Sequence, residues 1–328
     1  MGPGGDDTNS GDTSSAPFAT LQRALESATA GDTIVLLPGK YYQDAKTVRS
    51  GTPEHPIRIV GMPGSVLKGQ GKSRIFDISH SYIELSNFTI DGRLQRGDDP
   101  TLYRDKLVYI HAKGGEGITG VRLMGMQLGH AAGECVRFKN QARHNEVAYS
   151  TIHHCGVRFY RFKRGKKNGE GVYIGTARGQ LKPNQPLDIS ELNWIHHNVI
   201  STYGSECIDI KEGSQFNLIE HNVCSMEKDP DVAGISIRGN HNVVRYNTVF
   251  DNQGAGIRLG GTQDSDGIDN RIFHNILINN RAGGLKIMRQ PQKNICSNRI
   301  HLRKGEKAIR TASQIRKEGF NLDCPDSQ

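Results

Sequence analysis

Four hexapeptides of this chain align with one another: NWIHHN (193–198), NLIEHN (217–222), NVVRYN (242–247) and NRIFHN (270–275). Each is Asn, two positions that are apolar except at Arg271, a variable position, an aromatic residue or His, and Asn. NEVAYS (145–150) is a degraded copy and NICSN (294–298) a shortened one. From Asn193 to Asn294 the first Asn recurs at intervals of 24, 25, 28 and 24 positions. That irregular period is the mark of a solenoid whose turns absorb insertions.

A second frame precedes the first: ECVRFKN (134–140), EGVYIGT (170–176), ECIDIKE (206–212), AGISIRG (233–239), AGIRLGG (255–261) and GGLKIMR (283–289). The third and fifth positions are Val, Ile, Leu or Phe, while the fourth and sixth are mostly polar or Gly. This alternation reads as a short strand with one buried face. One such strand per coil implies parallel stacking, so the chain is expected to be an all-β, single-stranded right-handed parallel β-helix. Residues 136/138, 172/174, 208/210, 235/237, 257/259 and 285/287 then point inward. The repeated Asn residues read as turn amides stacked between coils. Tyr149, His197, His221, Tyr246 and His274 read as an inward structural stack rather than as ligands.

Composition agrees with thin layers and many turns: 35% hydrophobic residues, 6% aromatic, and 39 Gly in 328 residues. Residues 1–16 have the composition of a disordered segment. PFATLQRALESATA places Phe18, Leu21, Ala24, Leu25 and Ala28 on one helical face, suited to capping the β-helix that spans 17–302. Residues 303–328 lack the coil frame and read as a C-terminal cap. Neither a membrane-spanning run nor a leader is seen, and the expectation is a secreted monomer. Six cysteines without CxxC spacing disfavour a zinc site and suggest about one bridge, with Cys296–Cys324 preferred. The net charge of +8 favours a polyanionic partner; no nucleic-acid-binding motif is present.

GDTIVLLPGKYYQ, GTPEHPIRIVGMPGSVLKGQG and IFDISHSYIELSNFTIDG, within residues 17–92, resemble the N-terminal coils of the parallel β-helix polysaccharide lyases that include chondroitin B lyase and alginate lyases. ECIDIKEGSQFNLIEHN and GISIRGNHNVVRYN resemble the part of that family that carries its active site. The resemblance implies a Lys general base, an Arg one coil later, and Ca²⁺ held by Glu and Asn side chains. Arg238 matches the Arg and Glu206 the first acidic position. Ile208 stands where the family has a second Glu, and Lys211 lies a little ahead of the family's Lys.

Stacking the strands gives an independent reading. The fourth-position column is Arg137, Tyr173, Asp209, Ser236, Arg258 and Lys286; the sixth is Lys139, Gly175, Lys211, Arg238, Gly260 and Met288. Neighbours in a column lie about 4.8 Å apart. Lys211 and Arg238 are therefore expected side by side on a floor left open by Gly175 and Gly260, with Arg238 depressing the pKa of Lys211. They are the expected catalytic pair of a lyase that cleaves an acidic, uronate-containing polysaccharide by β-elimination. Expected substrate contacts are Lys139, Arg137, Tyr173 and Arg258, with Arg161 and Arg164 from the basic loop VRFYRFKRGKKNGEG (157–171). Glu206, Asp209 and Glu170 are the expected Ca²⁺ ligands, although each Glu could instead accept backbone N–H groups at its turn. The acidic stretch MEKDPDVAG (226–234) is read as a solvated loop or a further Ca²⁺ site. Rival readings are a uronate C5-epimerase, a glycoside hydrolase using Glu206 with Asp209 or Glu170, and a non-catalytic glycan-binding solenoid.

Overall fold

The computed structural model describes every residue except 72, 95–98, 100–101, 159–168, 316–318 and 325–328. Three ten-stranded parallel sheets wind together, each coil giving one short strand to each sheet. The strands are short because each ends at a turn, and the turns recur at the Asn positions. Val136, Val172, Ile208, Ile235, Ile257 and Leu285 lie in one continuous register on the third sheet, as do Phe138, Ile174, Ile210, Ile237, Leu259 and Ile287. All twelve are fully buried, so the inward stack is as the alternation predicts.

Two ladders of amides tie coil to coil. In the first, the backbone N–H groups of Asn145, Asn193, Asn217 and Asn242 each donate to Oδ1 of the Asn one coil on, at 2.9–3.1 Å. The second runs from Ser150 through Asn198, Asn222, Asn247, Asn275 and Asn298 to Asn321 in the same manner. The Asn222 amide also donates to Ile195 O, Glu220 O and Asn247 Oδ1. Buried polar groups are thereby satisfied at a turn with no strand partner of its own.

The aromatic and His column stacks as expected, with ring centroids 4.8–5.3 Å apart from Tyr149 through His197, His221 and Tyr246 to His274. It does not point inward. Each member has a φ of 52–55°, and Tyr149 and Tyr246 are 59% and 45% exposed. A left-handed residue breaks the alternation of the strand, which turns the column out to the surface.

The ends depart from expectation too. The segment 1–16, expected to be disordered, packs on the first coil: Gly2 N donates to Phe18 O, Asn9 Nδ2 to Pro17 O, and Thr20 Oγ1 to Asp7. Backbone pairing and side-chain caps hold a segment that has too few apolar residues to bury. The cap helix is Leu21–Ser27, with Leu21, Ala24 and Leu25 buried. In the tail, Ile309–Thr311 adds a tenth strand beside Leu285–Ile287, so the coil continues past 302. Three disulfides are present rather than one: Cys135–Cys155, Cys207–Cys224 and the preferred Cys296–Cys324. The first two each join the start of a third-sheet strand to the second-sheet strand of the next coil, a proximity that linear spacing hides. Among the described residues no helix is long and apolar enough to cross a membrane.

Replacing Asn222 with Ala removes the Oδ1 that accepts from Asn198 N and Nδ2, strands the backbone N–H of Asn198, and takes one of the two donors from Asn247 Oδ1, which keeps the backbone N–H of residue 222. The expected cost is about 1–3 kcal/mol in denaturant unfolding, with the solenoid intact by circular dichroism.

Candidate functional site

The third sheet carries its chemistry on the outer face. Pairing confirms the column Arg137, Tyr173, Asp209, Ser236, Arg258 and Lys286. The Glu column is also in register, since Cys135 N bonds to Glu170 O and Gly171 N to Glu206 O.

Lys211 and Arg238 occupy neighbouring rungs, but each is held by a different carboxylate. The Lys211 ammonium contacts Asp209 directly, lies 3.9 Å from Glu170 Oε1, and sits 4.5 Å from the centroid of the Tyr173 ring. Arg238 is bound to Glu212 and donates to Thr262 Oγ1 at 2.9 Å. Only 7% of Lys211 is exposed. Burial alone would lower its pKa; Asp209, then Tyr173, Glu170 and Glu206, outweigh that and raise it. The expected depression by Arg238 is therefore reversed, because the ammonium is in direct contact with Asp209 while Arg238 is taken up by Glu212.

The open floor is not open. A Cβ at Gly175 would run into Ser214 Oγ, and one at Gly260 would lie 2.8 Å from Met288 Cβ. Both glycines have positive φ, +89° and +121°: they serve turns packed closely by other segments, not gaps for a sugar.

The three expected metal ligands do converge. One oxygen from each of Glu170, Glu206 and Asp209 lies within 4.8 Å of the others, and all three residues are buried. Burial, opposed by Lys211, pushes Glu170 up to about 8; burial and then Asp209 also raise Glu206. The alternative role at the turns is seen for Glu170, whose Oε2 accepts from Gly169 N at 2.9 Å; Glu206 accepts instead from the Ser205 hydroxyl. Asp209 Oδ1 is buried without a hydrogen-bond partner among the described residues. Three carboxylates against one ammonium, with an orphaned oxygen among them, are a donor set that suits Ca²⁺.

The expected substrate contacts divide. Arg137 is buried, paired with Glu134 and stacked 3.7 Å from the centroid of Tyr173, which is itself buried. These two support the site rather than line a surface, because strand neighbours cover both. Lys139 and Arg258 are half-buried and have no hydrogen bond or ion pair among the described residues. Burial, and after it Arg238, lowers the pKa of Arg258. Arg161 and Arg164 lie outside the described residues. In the acidic stretch, Glu227 and Asp229 are buried rather than solvated, and Glu227 accepts from the backbone of Asp229 and Gly254, which pins the turn. Burial pushes Glu227 up to about 8.

One residue escaped the sequence reading. Ser236 Oγ is buried and has no hydrogen-bond partner among the described residues, between Asp209 and Arg258. Three successive rungs thus carry unused polar groups: a carboxylate oxygen, a hydroxyl and a guanidinium. The only signal was its place in the column, since a lone Ser on a strand reads as neutral.

Comparison with known proteins gives two family models that each match more than half of the chain. They are described as right-handed β-helix region, over residues 108–300, and as a protein family of unknown function (DUF1565), over residues 3–176. No curated protein matches by sequence. Similar solved structures include an alginate lyase from Paenibacillus sp. str. FPU-7, at 19% identity and TM-score 0.66, covering 93% of this chain and 96% of that one. Pectate lyase Pel9A aligns at 14% identity and TM-score 0.56, covering 99% and 78%. A GH136 lacto-N-biosidase from Eubacterium ramulus aligns at 14% identity and TM-score 0.66, covering 97% and 66%. At these identities the likeness is one of fold.

Glu170 and Glu227 both keep protons to about pH 8 in the fold, whereas in the unfolded chain they lose them near pH 4.5. The native state then binds more protons than the unfolded one, so stability falls as pH rises. His153, lowered to about 4, has the opposite effect, complete by about pH 6.5. Melting temperature is expected to decline from about pH 6.5 to about pH 8.5, which a calorimetric series would read.

Proposed function

The chain belongs to the right-handed β-helix family, and from that premise we propose that it is a polysaccharide lyase acting on a uronate-containing polymer. One observation carries the reading: the unpartnered groups of Asp209, Ser236 and Arg258 on consecutive rungs, beside Lys211. A hydroxyl and a half-buried guanidinium one rung apart suit a sugar that bears both hydroxyls and a carboxylate. The structural neighbours that act on polyuronates, and the net positive charge, support the same substrate class.

β-Elimination breaks the C5–H and C4–O4 bonds of the uronate and forms the C4–C5 double bond. Arg258 binds the uronate carboxylate and withdraws charge from C5. The unpartnered Oδ1 of Asp209, whose other oxygen the Lys211 ammonium holds, removes the C5 proton; Lys211, whose pKa its neighbours raise, starts as the ammonium rather than as the amine base expected from the sequence. The Lys211 ammonium gives its proton to O4 and regains one from Asp209 across their direct contact. Arg238, the sequence choice for a catalytic role, holds Glu212 instead and acts on position. Calcium held by Glu170, Glu206 and Asp209 would neutralise the carboxylates around Lys211 and share the substrate's negative charge. Three disulfides fit an oxidising, extracellular setting.

A specific observation favours glycoside hydrolysis as the second reading. Glu170, protonated near neutral pH, lies within 4.8 Å of Asp209, whose carboxylate Lys211 supports. An acid and a carboxylate this close match the roughly 5 Å separation of retaining glycosidases.

A panel of alginate, pectate and rhamnogalacturonan distinguishes the two: the lyase gives an unsaturated product absorbing at about 235 nm, the hydrolase gives reducing ends without it. Lys211→Ala and Arg258→Ala, with melts confirming the fold, are each expected to reduce turnover by about 10²-fold or more. Near-parent turnover in either variant would place the chemistry elsewhere on the solenoid. Added chelator is expected to slow the reaction.

A further inference from the structure

The second sheet carries three histidines that take no part in the reading above. His130 lies near the end of the strand Gln127–Ala131, and His153 and His154 lie on Thr151–Cys155, one coil later. One ring nitrogen from each lies within 4.8 Å of the other two. The His130 and His153 rings meet edge to face at 5.0 Å, and the Nδ1 atoms of His153 and His154 are 2.9 Å apart. All three side chains are half-buried, within reach of solvent.

Two features of the surroundings build this arrangement. Gly129 stands opposite His153, and a Cβ there would run into the His153 ring. The missing side chain lets that imidazole lie across the strand toward His130. On the other side of Gly129 stands Asp91, whose Oδ1 is 3.1 Å from Nδ1 of His130. Lys68 and Arg93 fix the Asp91 carboxylate from 2.9 and 2.8 Å. With Nδ1 of His130 turned toward that carboxylate, Nε2 is the nitrogen left to bind.

We propose that His130, His153 and His154 form a binding site for a late first-row divalent cation, zinc foremost, with Asp91 positioning His130. Three imidazoles are the ligand set of an open tetrahedral zinc site, and such nitrogen donors select zinc, copper or nickel over calcium. A carboxylate behind a ligating histidine is the usual second partner of such sites. Lack of CxxC spacing argues only against thiolate ligation, and imidazoles need none. The ligands come from two coils, so the ion staples neighbouring coils.

The molecule contains its own control. His196 and His197 also face each other through Nδ1 atoms, at 2.8 Å, and Nε2 of His196 bonds to Glu146. Among the described residues no third histidine completes that pair into a ligand group.

The test uses untagged, chelator-stripped full chain titrated with zinc chloride in a calorimeter, with calcium chloride as a parallel arm. About one zinc per chain is expected, raising the melting temperature. Affinity is expected to fall by about tenfold or more in His130→Gln, His153→Gln and Asp91→Asn and to stay unchanged in His197→Gln. Should Asp91→Asn not fold, because Lys68 and Arg93 lose the Asp91 charge, the His130 and His153 substitutions decide. Absence of saturable zinc binding overturns the proposal, as does zinc binding that survives His130→Gln and His153→Gln. Zinc binding lost instead in Glu170→Gln would assign the ion to the carboxylates and overturn it as well.

Discussion

Hydrogen bonding between successive coils sets the position of every side chain considered above. Parallel pairing fixes which residue lies over which, and the two Asn ladders hold that register through turns that the sheets do not cover. A slip by one residue would turn the inward Val and Ile stack to the surface and move Asp209 into the core. The irregular intervals between the Asn residues are tolerated because the extra residues sit outside the ladders. The amides therefore act on function at a distance, as the reason that Lys211, Asp209, Ser236 and Arg258 share one face.

Electrostatics divides that face. Toward the N-terminus its cations other than Lys139 are engaged: Arg74 stacks 3.6 Å from the Tyr109 ring centroid, and Glu134 is shared by Arg137 and Lys106. Beyond Asp209 the column turns to Ser236 and Arg258, which have no such partners. The boundary falls where buried carboxylates crowd a single lysine. Burying charge in this way is costly unless geometry compensates, so the cluster is poor evidence for stability and better evidence for chemistry.

The turns and the strand partners decided several points against simple alternation. A left-handed residue at each Asn turn moves the Tyr and His stack outward, and glycines at Gly175 and Gly260 answer to backbone conformation and close packing. Gly129 is the converse case, a strand glycine whose missing side chain makes room for an imidazole. The same residue type thus closes one candidate site and builds another.

The repeat itself determined the solenoid, its inward apolar columns, the stacked Asn turns and the convergence of Glu170, Glu206 and Asp209. All of these follow from period and register, which are properties of the linear chain. Only the tertiary structure decided that Asp209 and Glu170 hold the ammonium of Lys211, that Arg238 is committed to Glu212 while Arg258 is unpaired, and that Ser236 lies between. It alone brought Cys135 to Cys155 and His130 to the histidines one coil later. A column states which backbones are neighbours. Side-chain length, rotamer and burial then choose partners across columns and around turns, and that choice is made by packing in three dimensions.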